Sequence, residues 1–511
     1  MRWTDDPTAY AFAANLPLSK PQACDLPLTD IQALIDANII APIERHKVKA
    51  TGILFSVPEY AKNRRRMIFW PKSINREFQR MGIDAFTFDL GDPMEHLQDV
   101  HRGDYAAAMD LACAFFQHEL HVDIQPFFCF EFDGNMYAFQ RLPMGFCGSC
   151  DTQQAFTIAV SPTRDEVTRR TYVDGTRWVG TKTHVSECLT RSREECEAAS
   201  AQAQFQEPST VHEWLGVVYD FSQKTVSLSE KMVAKLTRAR DNIGNWSLRD
   251  MMQAFAYLFY ASPVLQLKLA SFYHCIKFYS RRCRTLEAGA KKLDDTAQVW
   301  PSITRELLTW FNMAIANVPT TPPKPEDVEK ANLTLFTDAC DDGWGAVLIN
   351  EYGQCFSVGQ KFANAKKLHI NVKELLAVSN AAKELNHIIQ GRPVRLFIDN
   401  TTAIATVKRG YGRSFALNVA ERVLQHVGIA FQSVDYVKSA DNPSDAPSRG
   451  RSLDQHLVAR VVQQLASAQG GGLESRRRSA RVERLGTHLP HPASLVDDTT
   501  PHVCDGMSPL G

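Results

Sequence analysis

Between residues 333 and 440 the chain switches between strand and helix periodicity in one order, and that order limits the fold more than any other feature. "LTLFTDA", "WGAVLI" and "QCFSVGQKF" read as three successive strands. "NVKELLAVSNAAKELNHI" carries apolar residues at helical spacing, "VRLFIDN" is a buried strand, "TTAIATVKR" is helical and "IAFQSVDYVKS" is a last strand. Three strands, then helix, strand, helix and strand, specify an α/β domain of about 120 residues. Acids mark its strand ends. Asp338 closes "LFTD" and Asp399 closes "LFID". Glu374 lies near the start of a helix whose other faces carry Val372, Leu375, Leu376 and Val378, and Asp445 lies in "DNPSDAPSR" just after the last strand. Strand ends of an open α/β sheet converge on one crevice. Four carboxylates there repel unless cations neutralise them. Two Mg²⁺ ions about 4 Å apart would do so, activating water and stabilising a leaving oxygen in phosphodiester hydrolysis. Any one of these acids alone reads as a surface residue or a helix cap; the four in this order and spacing do not.

The rest of the chain is organised around that domain. A length of 511 residues implies roughly three domains. Residues 1–24 form an N-terminal extension, and 25–240 a mixed region. It opens with a short helix running into an extended segment, "LTDIQALIDANIIAPI", and two strands around a polar turn, "GILFSVPEY" and "RRMIFWPKSI". Residues 241–316 are rich in apolar residues at helical spacing, and "NVPTTPPKPEDVEKAN", 317–332, is a Pro-rich linker. The α/β domain is expected over 333–465, and the Gly-, Arg- and Pro-rich stretch 466–511 is expected to be disordered.

Apolar residues make up 44% and charged residues 22%, an ordinary globular balance. No apolar run is long enough to span a bilayer, and "MRWTDDPTAYAFA" lacks the basic start and apolar core of a secretory signal. No membrane partner is expected. Twelve cysteines without a regular framework fit a reducing intracellular compartment, cytoplasm or nucleus. "CGSC", Cys147 to Cys150, has no second pair at zinc-ribbon spacing and reads as structural. Net charge is zero, which argues against a purely electrostatic nucleic-acid binder, but it is unevenly spread. Residues 41–80 hold ten basic residues against three acidic ones, and the next sixty are acidic. A basic arm beside an acidic platform suits phosphates on one side and metal ions on the other; two solvated faces are the plainer alternative.

"FTDACDDGWGAVL", "LHINVKELLAV", "FIDNTTAIATVKRGYG" and "DNPSDAPSRG" together resemble a retroelement ribonuclease H domain over 333–450. The resemblance carries a metal-ligand role onto Asp338, Glu374, Asp399 and Asp445, and implies cleavage of RNA paired to DNA, where the 2′-hydroxyl tells the strands apart. The histidine that some relatives place before the last acid is not evident. Upstream, "AAAMDLACAFFQHEL", "RLPMGFCGSCDTQQAF", "YVDG" and "HEWLGVVYD" resemble reverse transcriptase motifs in family order over roughly 25–240, with "RRRMIFWPKSIN" resembling the fingers strand before them. The implied fold is a reverse transcriptase palm and fingers with a helical thumb or connection, followed by the ribonuclease H-like α/β domain.

By that resemblance Asp110 and Asp174 are the polymerase metal positions, two Mg²⁺ ions serve each active site with Mn²⁺ as substitute, and the partners are RNA template, DNA primer, RNA–DNA hybrid and dNTP. Phe115 matches the aromatic residue that closes the sugar pocket against a 2′-hydroxyl, with core packing as the alternative. Arg66 matches the fingers arginine that grips the triphosphate, assisted by Lys62. Met144 and Gly145 match the loop under the incoming base, and Gln154 belongs to the same motif. Two positions depart from the pattern. Trp70 stands where relatives often carry an acid, and Gly175 stands where they carry the second aspartate of the hairpin. The whole resembles a retrotransposon reverse transcriptase–ribonuclease H of DIRS or VIPER style. Its rivals are a ribonuclease H with a dead polymerase kept as a nucleic-acid clamp, favoured by Gly175, and a non-catalytic scaffold, disfavoured by the intact acid set.

Overall fold

A computed structural model describes residues 26–59, 64–80, 94–324, 333–363, 368–389, 392–429 and 431–470. The N-terminal extension 1–24, Asp25, Lys62, residues 325–332 and the tail from 471 lie outside them. The chain divides into two compact units, 1–214 with 219–224, and 215–218 with 225–511. Both mix helix and sheet, as expected.

The first unit opens with helix α1 (Leu28–Asp36) and strands β1 (Ile40–Pro42), β2 (Ile53–Glu59) and β3 (Arg64–Trp70), then α2 (Lys72–Arg80). β2 and β3 form an antiparallel ribbon in which Val57 faces Arg66 and Ile53 faces Trp70. β4 (Tyr105–Leu111), β5 (Cys129–Phe132), β6 (Asn135–Phe139), α3 (Ser149–Ala159), β7 (Thr168–Tyr172), β8 (Gly175–Gly180), α4 (Lys182–Ala198), β9 (Ala203–Ser209) and β10 (Val211–Trp214) follow. β7, β8, β4 and β9 make a four-stranded sheet in that order, antiparallel throughout. Ala107, Met109, Leu111 and Trp178 bury one face of it against Val185, Cys188 and Leu189 of α4. A second, aromatic core holds β1, β5 and β6 to the ribbon: Phe69 lies 4.8 Å from Phe139, and Phe128 meets Phe146 edge-on at 5.2 Å.

The second unit begins with β12 (Thr225–Leu228), reached through β11 (Val217–Asp220), and four helices: α5 (Glu230–Asp241), α6 (Leu248–Val264), α7 (Tyr273–Glu287) and α8 (Pro301–Ala316). A reciprocal cap between Ser247 and Asp250 starts α6. Trp310 centres the helical core, stacking on Phe272 at 4.6 Å and donating its indole N–H to Ser262 at 3.0 Å. The first residues of the Pro-rich segment are pinned rather than loose. Asn317 bonds the Leu228 backbone from both ends of its amide, and Thr320 exchanges backbone bonds with Val226.

Beyond it stands a five-stranded sheet of β13 (Leu333–Ala339), β14 (Gly343–Asn350), β15 (Cys355–Lys361), β16 (Val394–Ile398) and β17 (Phe431–Tyr436), ordered β15-β14-β13-β16-β17. The first three strands are antiparallel; β16 and β17 run parallel to β13. Helices α9 (Ile370–Glu384), α10 (Thr401–Arg409) and α11 (Phe415–Val427) cover one face, and α12 (Gln455–Gly470) the other. Every residue of β13 is therefore buried, Thr334, Thr337 and Asp338 included. Among the described residues no helix is long and apolar enough to cross a membrane.

Candidate active sites

In the second unit three expected acids meet. Ligand oxygens of Asp338, Glu374 and Asp399 all lie within 4.8 Å of one another. Asp338 ends the central strand, Asp399 follows the parallel strand beside it, and Glu374 projects from the second turn of α9. Asn400 caps α10 through its side-chain oxygen while its amide donates to Asn371 of α9 at 2.9 Å, tying the Asp399 turn to the helix that carries Glu374. Asp338 and Glu374 are only 3% and 4% exposed, and among the described residues Asp338 Oδ2 and Glu374 Oε2 have no hydrogen-bond partner. Burial raises both carboxyls, Asp338 to about 6 and Glu374 to about 9. The neighbouring acids add to this, and the Ser448 hydroxyl and a backbone bond at Ala339 oppose it. Buried, unpartnered carboxylate oxygens aimed at one point are costly unless a cation joins them. The hard oxygen donors fit Mg²⁺ or Mn²⁺.

Asp445 stands at the margin of this trio, close enough to act electrostatically on Asp338. Its segment is moulded onto the sheet. Buried Asn442 donates to Thr337 O at 3.0 Å and accepts from the backbone and hydroxyl of Ser444. The single helical turn Asp445–Ser448 then lies against glycines of β14 and β15. A β-carbon at Gly345 would stand 2.3 Å from Ser448 N, and one at Gly359 would stand 2.4 Å from Pro447 O. Only glycine lets main chain approach main chain this closely.

In the first unit, Asp110 on β4 pairs with Gly175 at the start of β8, and the Leu111 amide bonds the Asp174 carbonyl at 2.9 Å. The two expected polymerase acids are thus held by adjacent strands. Val173 and Asp174 make the two-residue hairpin tip between Tyr172 and Gly175. Val173 has φ +52°, a strained region for a β-branched residue. α3 holds it there: Gln154 Oε1 accepts from Val173 N at 2.6 Å, and the Thr157 hydroxyl donates to Val173 O at 2.7 Å. Gln154 also donates to Thr171 O at 3.1 Å, so its buried amide braces the hairpin.

Gly175 is buried beside Trp214. A β-carbon there would meet two ring carbons of Trp214 at 3.5 Å and Asp110 Oδ1 at 3.6 Å. Two residues on, Arg177 is fully buried, bonding Asp99 at 2.6 Å and stacking over Tyr219 at 4.2 Å. Phe115 lies half-buried after β4 and packs on the aromatic core. Gly145 has φ +112°, and a β-carbon there would stand 2.3 Å from Phe69 O, so the Met144–Gly145 loop lies on the backbone of β3. Trp70 ends β3 with Lys72 Nζ 5.0 Å above its ring. Cys147 and Cys150 are free thiols.

Sequence reasoning missed Asn442, Asn400, Trp214 and Arg449. Arg449 was within reach, because four residues separate it from Asp445 in "DAPSR". Trp214 was not, since nothing in "HEWLG" announces contact with a glycine in a different hairpin.

The family model for the RNase H-like domain found in reverse transcriptase matches residues 328–414, which include Asp338, Glu374 and Asp399. No curated protein matches the sequence. Similar solved structures include the foamy viral protease-reverse transcriptase in complex with RNA/DNA hybrid, at 14% identity and TM-score 0.48, covering 84% of this chain and 56% of that one. The same protein in complex with dsDNA matches at 14% identity and TM-score 0.46, covering 84% and 87%. Residues 328–414 are thus similar to the RNase H-like domain found in reverse transcriptase.

Proposed function

We propose that this chain is a retroelement RNA-directed DNA polymerase with ribonuclease H activity, whose polymerase centre is one carboxylate short. The observation that carries the ribonuclease reading is the convergence of Asp338, Glu374 and Asp399, with two buried oxygens left unpartnered. The chemistry supplied by two Mg²⁺ ions, with Mn²⁺ as substitute, is activation of water and stabilisation of the departing 3′-oxygen. Asp338 and Glu374 fix the charge at the floor of the site, Asp399 and Asp445 complete its rim, and Asn400 and Asn442 hold the two turns that carry the rim acids. The substrate is the RNA strand of an RNA–DNA hybrid.

In the first unit Asp110 and Asp174 hold the metal for DNA synthesis from dNTP on an RNA template with a DNA primer. Phe115 excludes a 2′-hydroxyl; Arg66, Lys62, Met144 and Gly145 form the nucleotide pocket, and Gln154 acts through the hairpin it braces. The reading with an impaired polymerase is favoured by Gly175, which brings no carboxylate to the position beside Asp110 where the second acid is expected. The test is hybrid cleavage and primer extension on one purified sample in Mg²⁺ and then Mn²⁺. Cleavage lost in Asp338→Asn and Asp399→Asn supports the reading, and undiminished cleavage in both refutes it. Strong wild-type synthesis in Mg²⁺ refutes the impairment alone.

A further inference from the structure

Asp445 is the one expected acid outside the trio of converging oxygens, and it has a partner of its own. Arg449 Nε and Nη2 both donate to Asp445 Oδ1, at 3.1 Å and 2.9 Å. Both side chains lie at the rim, 48% and 35% exposed. The arginine is placed by a tight reversal of the chain. Its amide and that of Arg451 bond the same carbonyl, Ala446 O, and Gly450 between them adopts φ +67°. Arg449 and Asp445 also act on Asp338 with opposite sign, so the guanidinium offsets charge in the same field that a divalent ion would enter.

The geometry points to Arg449 as a displaceable internal counter-ion, a positioning residue that holds Asp445 Oδ1 and competes with a divalent cation for the fourth carboxylate. This rests on the ribonuclease H reading. Exposed ion pairs of this type are weak and easily displaced by a competing cation. A guanidinium cannot lose its proton, so only displacement, not deprotonation, frees the acid. The consequence is a raised divalent-ion requirement, because the ion competes with Arg449 for Asp445.

The test measures Mn²⁺ binding to the full chain by the electron-spin signal of the free ion. The ion lost in Asp338→Asn defines the ribonuclease site. Arg449→Gln should tighten binding there by about two- to fivefold, and the Mg²⁺ concentration for half-maximal hybrid cleavage should fall by a similar factor. Arg449→Lys, which keeps the charge, should stay near wild type. In an Asp445→Asn background Arg449→Gln should tighten binding much less, leaving only the guanidinium's weaker field at Asp338. A strut that merely holds the loop predicts the opposite sign, so unchanged or weaker Mn²⁺ binding in Arg449→Gln overturns the proposal. If Asp338→Asn removes no bound ion, the ribonuclease H reading fails, and this inference with it.

Discussion

Replacing Gly345 with alanine adds one methyl group and should nearly silence hybrid cleavage without touching a carboxylate. Gly345 faces Asp338 across the β13–β14 ladder, and its missing side chain is the space into which the Asp445 turn is pressed. The new β-carbon would lie 2.3 Å from Ser448 N and 2.7 Å from Pro447 C, whereas ordinary contact begins at 3.4 Å. The obstacle is main chain, which cannot rotate away, so the turn must retreat by about 1 Å. Asp445 and Arg449 travel with it. A 1 Å misplacement at a reacting centre costs on the order of 100-fold in rate, or ~2.7 kcal/mol of barrier. Overpacking should also destabilise the domain by about 1–3 kcal/mol. The assay is kcat for cleavage of an RNA–DNA hybrid in saturating Mg²⁺, with a thermal melt in parallel. Gly244→Ala is the matched control, because a β-carbon there meets nothing within 4 Å. Wild-type kcat and melting temperature in Gly345→Ala would refute the argument that main-chain contact positions the last acid.

Gly175→Asp should fit, since its β-carbon would make only ordinary contacts with Trp214 and Asp110; primer extension in Mg²⁺ should rise at least about tenfold, ~1.4 kcal/mol of barrier, and no gain refutes the account of the missing acid. Phe115→Val should raise the ratio of ribonucleotide to deoxynucleotide incorporation, measured in the Gly175→Asp background; an unchanged ratio makes Phe115 a packing residue. Glu421 on α11 is buried, with Oε2 unpartnered, and burial raises its carboxyl from 4.5 to about 7 against a bond from Gln425. Its folded pKa exceeds its unfolded one, so its stabilisation is complete below pH 4.5 and is lost as pH rises through about 7. Glu421→Gln should therefore flatten the stability profile across that window, by at most about 3 kcal/mol, as read by denaturant melts at several pH values; parallel profiles for the two proteins refute it.

The ribonuclease-type domain was legible because its signals are local. Buried strands such as "LTLFTDA" and "VRLFIDN" ended in acids, and parallel pairing brought Asp338 and Asp399 to the same edge. The antiparallel four-stranded sheet of the first unit was harder to read, since its strands are separated by loops and helices of uneven length. The hairpin tip was identified, but its strain was not: a valine in the left-handed region is held by Gln154 and Thr157 from an earlier helix, a contact no short window contains. Helix α11 and the pinning of residues 317–320 also escaped, the first because it is joined to α10 by a glycine-containing loop, the second because prolines mask a segment fixed by Asn317 and Thr320.

The glycine mould beneath Asp445 changes how such a chain would lose its function over generations. A copy drifting without selection has three further routes to inactivity, through Gly345, Gly359 and Gly343, each facing main chain at under 3 Å, beside the four carboxylates themselves. Such a copy would keep every acid and still be a fossil. Surveys that score survival by intact acids alone would count it among the living.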